Sequence, residues 1–302
     1  LPSSAKHLND KLRSALAQIL MSRDGPALQP GTRSYQRSWI RDGAMMVEGL
    51  LRLGEVQASA DFVNWYGEHL FANGKVPCCV DARGADPVAE NDSHGQFIHA
   101  VALLWQFTGD KALLAKQWPR VLAATRYMEQ LRQSEHSEAN KQPGREALWG
   151  TMPASISHEG YSDKPMHSYW DDFWALRGYK DAVLLAQAAD KADDAKQIKA
   201  WRDEFQAELV QSIAAAMKQH GKTFIPGAAE LGDFDATSTT VALSPAQADD
   251  VLPPEWLSAT FERYWQEATA RREGHSAWKD YTPYELRSVG ALLRVATGPN
   301  PG

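Results

Sequence analysis

Five stretches of this 302-residue chain gather carboxylates, imidazoles and indole rings at spacings that permit chemistry. In the first, Ser34-Tyr35-Gln36-Arg37-Ser38-Trp39-Ile40-Arg41-Asp42-Gly43, an aromatic face, a donor fork and a carboxylate follow one another as Trp-x-Arg-Asp. Holding a polyol requires that combination, because a pair of hydroxyls accepts from Arg41 and donates to Asp42 while the C–H face of a ring stacks on Trp39. Tyr35 supplies a second aromatic edge. If the stretch is helical throughout, Arg37 and Arg41 share a face and Asp42 sits in the first turn, where the helix dipole favours an anion. A capping Asp with an Arg partner is the plainer alternative.

The second stretch, Glu90-Asn91-Asp92-Ser93-His94-Gly95-Gln96, reads as a capping box with Asp92 or Ser93 as N-cap and Gln96 as its partner. Its density of donors and acceptors also fits a wall for a hydroxyl-rich ligand, with Glu90, Asp92 and Gln96 as binding residues. The third runs from Met152 to Trp174. Trp170, Phe173 and Trp174 fall at i, i+3 and i+4, which starts a helix and turns the rings to a core. Asp171 and Asp172 then lie in its first turn, where dipole compensation explains them. Glu159 and Asp163 precede that helix in a loop, bracketed by His158 and Tyr161. A loop carboxyl beside aromatic rings is a candidate for a raised pKa, as a general acid at neutral pH requires. His158 and Trp170 join the candidate binding residues. In the fourth stretch, Gly232 to Ser238, Asp233 and Asp235 either cap a short helix or bind hydroxyls. In the fifth, Asp280 to Arg287, Thr282, Pro283 and Glu285 spell a helix start, so Glu285 is first a capping residue. No phosphate loop, dinucleotide fingerprint or His-Glu-x-x-His motif appears, so nucleotide and zinc chemistry have no anchor and no cofactor is called for.

These residues need a frame, and the frame is helical. Apolar residues recur at three- or four-residue steps in Leu8, Leu12, Ala15 and Ile19, in Met46, Leu50 and Leu53, and in Ile198, Trp201, Phe205, Leu209 and Ile213. Leu286, Val289 and Leu293 repeat the pattern, and about ten helices are expected with little strand. Breaks are expected at Gly54, Asn73-Gly74, Gly109, Gly178, Gly221 and Pro253-Pro254. Residues 132 to 148 read as a polar surface loop, whereas 24 to 37, 73 to 92 and 149 to 169 mix apolar and titratable residues and read as site walls. An all-α toroid of helical hairpins, with long loops converging on a central funnel, fits this pattern. A ring of six hairpins needs twelve helices, so the toroid is expected to be incomplete at its C-terminus.

Hydrophobic residues make up 43% of the chain and charged residues 23%, which are globular proportions. No run approaches the ~18 apolar residues of a membrane span. The net charge of −6, with Lys and Arg scattered, argues against nucleic acid as a partner. With no Pro/Gly/Ser linker, residues 1–302 are expected to form one domain, and a first residue of Leu1 suggests a piece of a longer protein. Cys78 and Cys79 are adjacent, where a bridge would be strained, so they read as small buried thiols that leave the compartment undecided. Eleven Trp residues suit packing and sugar stacking alike.

With these motifs in view, the chain resembles the six-hairpin (α/α)6 toroid glycosidases, the superfamily of glucoamylase. Ser34-Tyr35 through Trp39-x-Arg41-Asp42 is similar to their aromatic-x-Trp-x-Arg-Asp signature, in which Trp, Arg and Asp hold the non-reducing sugar. Ser155-Ile-Ser-His-Glu159-Gly-Tyr and Tyr281-Thr-Pro-Tyr-Glu285-Leu-Arg resemble segments of bacterial toroid proteins, some joined to further sugar-binding modules. The resemblance implies a carbohydrate substrate and Glu159 as general acid, with Asp163 and Asp172 as rivals, as in trehalase-like relatives. It implies a base in a late hairpin, which has no clean equivalent before Gly302, so that either Glu285 serves or the base lies beyond Gly302. The expected activity is hydrolysis of an α-linked sugar with inversion, which needs the two carboxyls ~6.5–9.5 Å apart rather than ~5 Å. A sugar-binding toroid without chemistry is the alternative. Asp233-Phe-Asp235-Ala236 faintly resembles the acid motif of terpene cyclases, but Ala236 stands where a further carboxylate is needed.

Overall fold

The computed structural model describes residues 5–156, 164–277 and 283–297. Among them ten α-helices carry the chain: α1 (His7–Met21), α2 (Ile40–Arg52), α3 (Val56–Gly67), α4 (Ser93–Thr108), α5 (Lys111–Ser134), α6 (Tyr169–Ala188), α7 (Ala192–His220), α8 (Ala236–Leu243), α9 (Pro254–Arg272) and α10 (Leu286–Thr297). The all-α expectation and the helix number both hold. The chain divides into two compact units, residues 1–128 with 178–199, and residues 129–177 with 200–302.

In the first unit α2, α3 and α4 pack on one another. Val47, Leu50 and Leu51 of α2 and Phe62, Val63 and Tyr66 of α3 are buried by their helical spacing, and α4 is buried from Ser93 to Leu104, the mark of a helix enclosed on all sides. Gly43 makes the α2–α3 approach possible, since a Cβ there would lie 2.2 Å from the Phe62 ring. Between the helices three short strands, β1 (Ser38–Trp39), β2 (Cys79–Asp81) and β3 (Gly84–Ala85), form an antiparallel sheet with Trp39 opposite Cys79. Strands of two or three residues are too short for alternation to reveal. Gly178 does not interrupt α6. A Cβ at that position would stand 2.8 Å from the Gly95 Cα, so the glycine serves close backbone approach rather than a break. In α1 no residue is buried, although its apolar stripe is intact.

In the second unit α8, α9 and α10 contact one another. The α10 stripe faces outward, with Leu286, Val289 and Leu293 at 73%, 57% and 63% exposure while Ser288 and Ala291 are buried, which corrects the expectation of a core face. The helix starts at Leu286, after a 3-10 turn at Pro283–Glu285, so Pro283 is not its first residue. Residues 132–134 still belong to α5, and Arg132 is fully buried rather than part of a surface loop. Its guanidinium is shared by Glu129 at 2.7 Å, Glu204 at 2.7 Å and Glu208 at 2.5 Å, which meets the cost of enclosing the cation.

Candidate active site

At the start of α2 the chain leaves β1 and turns helical at Ile40, whose N–H donates to the Cys78 carbonyl at 3.0 Å. Arg37 therefore lies before the helix and does not share a face with Arg41. It pairs with Asp86 at 2.7 Å and Asp81 at 3.1 Å, its guanidinium 5.5 Å from the Trp39 ring centre. Arg41 instead reaches the loop before α4, where Nε donates to Asp92 Oδ2 at 3.0 Å and Nη2 donates to Glu90. Asp92 is the residue before α4, but its carboxylate makes no cap bond. It accepts from Arg41 and, at 2.8 Å, from Gln96 Nε2, so the capping-box expectation gives way to an ion cluster.

The electrostatics of this cluster follow from burial. Removal from water pushes the Glu90 carboxyl up to about 7 despite Arg41, with Asp92 and Asp42 adding repulsion. Burial also opposes the Arg41 charge, yet Asp92 and Glu90 outweigh it and hold the guanidinium above its ordinary value. His94 is buried and accepts from the Val76 N–H at 3.2 Å, which ties the 73–92 loop to α4. Burial lowers its pKa to about 3 and keeps the ring neutral. Ser93 Oγ, His94 Nε2 and Gln96 Oε1 are buried with no hydrogen-bond partner among the described residues, so the first turn of α4 holds unspent polar capacity. Tyr35 is 58% exposed, its ring 6.3 Å from that of Trp39.

The second unit carries a separate constellation at the start of α6. Asp172 is fully buried, Oδ1 accepting from the Met152 N–H at 2.8 Å, and Asp171 accepts from Ser155 Oγ at 2.6 Å. Both therefore clamp the preceding loop instead of merely compensating the dipole. Asp172 Oδ2 has no partner among the described residues, and burial raises its pKa to about 7 in spite of the Met152 N–H and His167. His167 lies between two carboxylates, with Nδ1 2.5 Å from Glu230 and Nε2 3.5 Å from Glu135. Burial disfavours its charge, but Glu135 and Glu230 prevail and raise its pKa to about 9.

Of the expected site residues, the structure brings together Arg41, Asp42, Glu90, Asp92 and Gln96, and separately places Tyr35 beside Trp39. Glu159, Asp163 and His158 lie outside the described residues. Trp170 is only 4% exposed, edge-on to Trp174 and covered by Arg287, so it packs instead of presenting a face to a ligand. Asp235 is the N-cap of α8, accepting from the Ser238 N–H at 3.0 Å and its hydroxyl at 2.6 Å, the capping role that its sequence offered beside ligand binding. Glu285 does not cap α10. Its Oε2 accepts from Tyr264 and from Arg271 of α9, both at 2.7 Å. Glu135 and Glu230 went unnoticed in sequence because neither stands in a motif, and Glu230 is 63 residues from His167. Two surface grooves of about 450 and 510 Å³ run along α9, and neither is lined by an expected site residue.

No protein-family profile matches the chain, and no curated protein matches it by sequence. Solved structures do. A wild-type glycosidase is similar at 15% identity and a TM-score of 0.62, over 87% of this chain and 70% of that one. The GH63 mannosylglycerate hydrolase from Thermus thermophilus, in complex with Tris, is similar at 11% identity and a TM-score of 0.63, over 94% and 87%. The alpha-L-rhamnosidase from Dictyoglumus thermophilum is similar at 12% identity and a TM-score of 0.59, over 86% and 28%. At such identities the likeness is one of fold. The chain has the helical toroid fold of these glycosidases, as its sequence led us to expect.

Proposed function

We propose that this chain is a glycoside hydrolase acting on an α-linked sugar with inversion. The carrying observation is the Arg41–Glu90–Asp92–Gln96 cluster, in which a largely buried guanidinium gathers two carboxylates two residues along the chain from Trp39, whose ring lies 6.3 Å from that of the exposed Tyr35. What sets this cluster apart from the Arg132 cluster is the set of neutral polar atoms at the first turn of α4, Ser93 Oγ, His94 Nε2 and Gln96 Oε1, left without a partner among the described residues and suited to hydroxyl groups. Trp39 and Tyr35 stack on the sugar ring, Arg41 and Asp42 hold its remote hydroxyls, and Glu90, Asp92 and Gln96 line the subsite. Glu159 is assigned proton donation to the leaving oxygen. Asp172, whose carboxyl keeps its proton to about pH 7, and Asp163 are the alternatives for that role. No cofactor is assigned.

Glu159→Gln should abolish hydrolysis of the aryl glycoside that the wild type turns over best in a panel, with sugar affinity nearly unchanged. Full turnover in that variant transfers the role to Asp163 or Asp172. NMR of the first-formed anomer reads inversion, and a retained configuration rejects it. A sugar-binding domain without turnover is the second reading. It is favoured by Glu285, a candidate for the base, whose carboxylate is already taken up by Arg271 and Tyr264. Saturable sugar binding that Arg41→Ala abolishes, with no aryl glycoside cleaved by the wild type, establishes that second reading.

A further inference from the structure

Cys78 and Cys79 are both buried, and their Sγ atoms stand 2.9 Å apart, closer than two non-bonded sulfurs ordinarily approach. The backbone around them is engaged on both sides. The Cys78 carbonyl accepts from Ile40, the first residue of α2, while Cys79 pairs with Trp39 and its carbonyl accepts from the Asp86 N–H at 3.0 Å. The Asp86 carboxylate lies within 4.8 Å of both sulfurs. This set does not suit a cation, because the Arg37 guanidinium already neutralises Asp86 at 2.7 Å and would repel a metal ion.

We propose that Cys78 and Cys79 are a modification site at which hydrogen peroxide closes a reversible disulfide between neighbouring residues. One thiolate attacks the peroxide oxygen, giving a sulfenic acid and releasing water once the second oxygen is protonated. The other thiol displaces hydroxide from that sulfur, which leaves as a second water. Two S–H bonds are lost, one S–S bond forms, and each sulfur gives up one electron while the peroxide is reduced to two waters. A small oxidant is required because the pair is shielded from larger disulfides.

Two features support a bond that opens and closes. The Cys78 thiol is held above its ordinary pKa by its hydrogen bond with Cys79, by burial and by the nearby Glu90 and Asp86, which keeps the resting pair as dithiol and makes attack on the peroxide slow at neutral pH. Adjacent Cα atoms are ~3.8 Å apart, short of the ~4.4–6.8 Å of ordinary bridges, and such strain makes a disulfide easy to reduce. Finally, the ring would close within the backbone that holds Trp39 and the start of α2, so its closure bears on Arg41 and Asp42. Only this last consequence rests on the proposed sugar site.

The test reads the protein directly and needs no turnover. The wild type is treated with hydrogen peroxide, quenched, denatured and alkylated with N-ethylmaleimide. Loss of both alkylation sites is expected, with the peptide spanning Cys78 and Cys79 lighter by two hydrogens, and recovery of both sites after dithiothreitol. Cys78→Ser and Cys79→Ser should each remain alkylatable or advance to the sulfinic acid. Two alkylatable thiols in the treated wild type, a sulfinic acid there, or a bridge between chains would each overturn the proposal. Amide exchange in the peptide covering Trp39 and Ile40 should quicken on oxidation and slow again on reduction. Unchanged exchange would reject the effect on α2.

Discussion

A carboxyl group taken out of water holds its proton more tightly, and Asp172 shows this with few competing influences. Its pKa rises from 3.8 to about 7 because burial outweighs the Met152 N–H and His167. For a carboxyl raised in the folded state, stability is fully present below the unfolded value and lost as pH climbs through the folded one. Asp172→Asn, which keeps an oxygen for the Met152 N–H, cannot titrate. The gap in unfolding free energy between wild type and variant should therefore shrink from about pH 4 to pH 7, by at most ~1.4 kcal/mol per pH unit. Urea midpoints at three pH values check this, and parallel curves would show that Asp172 keeps an ordinary pKa. His167 behaves in the same direction at higher pH. Its raised pKa of about 9 means that its contribution is complete below 6.5 and lost as pH rises through 9. His167→Gln leaves Glu135 and Glu230 without their cation and should cost roughly 2–3 kcal/mol at neutral pH, below a fully enclosed pair because Glu230 is a third exposed. That cost should fade above pH 9 in the same unfolding experiment.

Elements were legible where one physical rule governs them. Ile198, Phe205, Leu209 and Ile213 lie on one face of α7 and are buried as their spacing predicts, because packing rewards that period. Rules that depend on a distant partner left no local trace. Gly178 reads as a helix break, yet it serves Gly95, and Asp92 reads as a cap, yet Arg41 takes its carboxylate. The acid cluster was visible as a density of polar residues, but its pairing was not, since Arg41 and Glu90 are 49 residues apart. The two glycines make a paired test. Gly178→Ala places a Cβ 2.8 Å from backbone that no rotamer can move aside, and should destabilise by about 1–3 kcal/mol. Gly49→Ala, inside α2 with nothing within 4 Å of the new methyl, should stabilise by up to ~1 kcal/mol through helix propensity. Guanidinium midpoints of opposite sign are expected. A neutral Gly178→Ala would mean that α4 and α6 approach less closely.

Across the whole molecule the shifted groups do not cancel evenly. On the acid side, His94 must stay neutral, so its stability is present above 6.5 and lost as pH falls through about 3. Asp86, Glu135 and Glu230 are lowered chiefly by their Arg37 and His167 partners, against burial for the two glutamates, and they too lose stability only as pH falls below the ordinary carboxylate range. On the alkaline side, Asp172 and Glu90 lose stability as pH rises through about 7, and His167 follows through about 9. Between roughly pH 5 and 6.5 Asp172 and Glu90 pull stability down with rising pH while His94 and His69, both lowered by burial, push it up; above 6.5 none of these groups opposes the decline. Stability should therefore change little between pH ~5 and 6.5 and fall steadily from there to pH 9. Chemical denaturation followed by far-ultraviolet circular dichroism at pH 5, 7 and 9 reads this directly. A midpoint that rises from pH 5 to pH 8 would show that Glu90 and Asp172 are ionised without penalty, and so that water reaches both carboxylates in the folded chain.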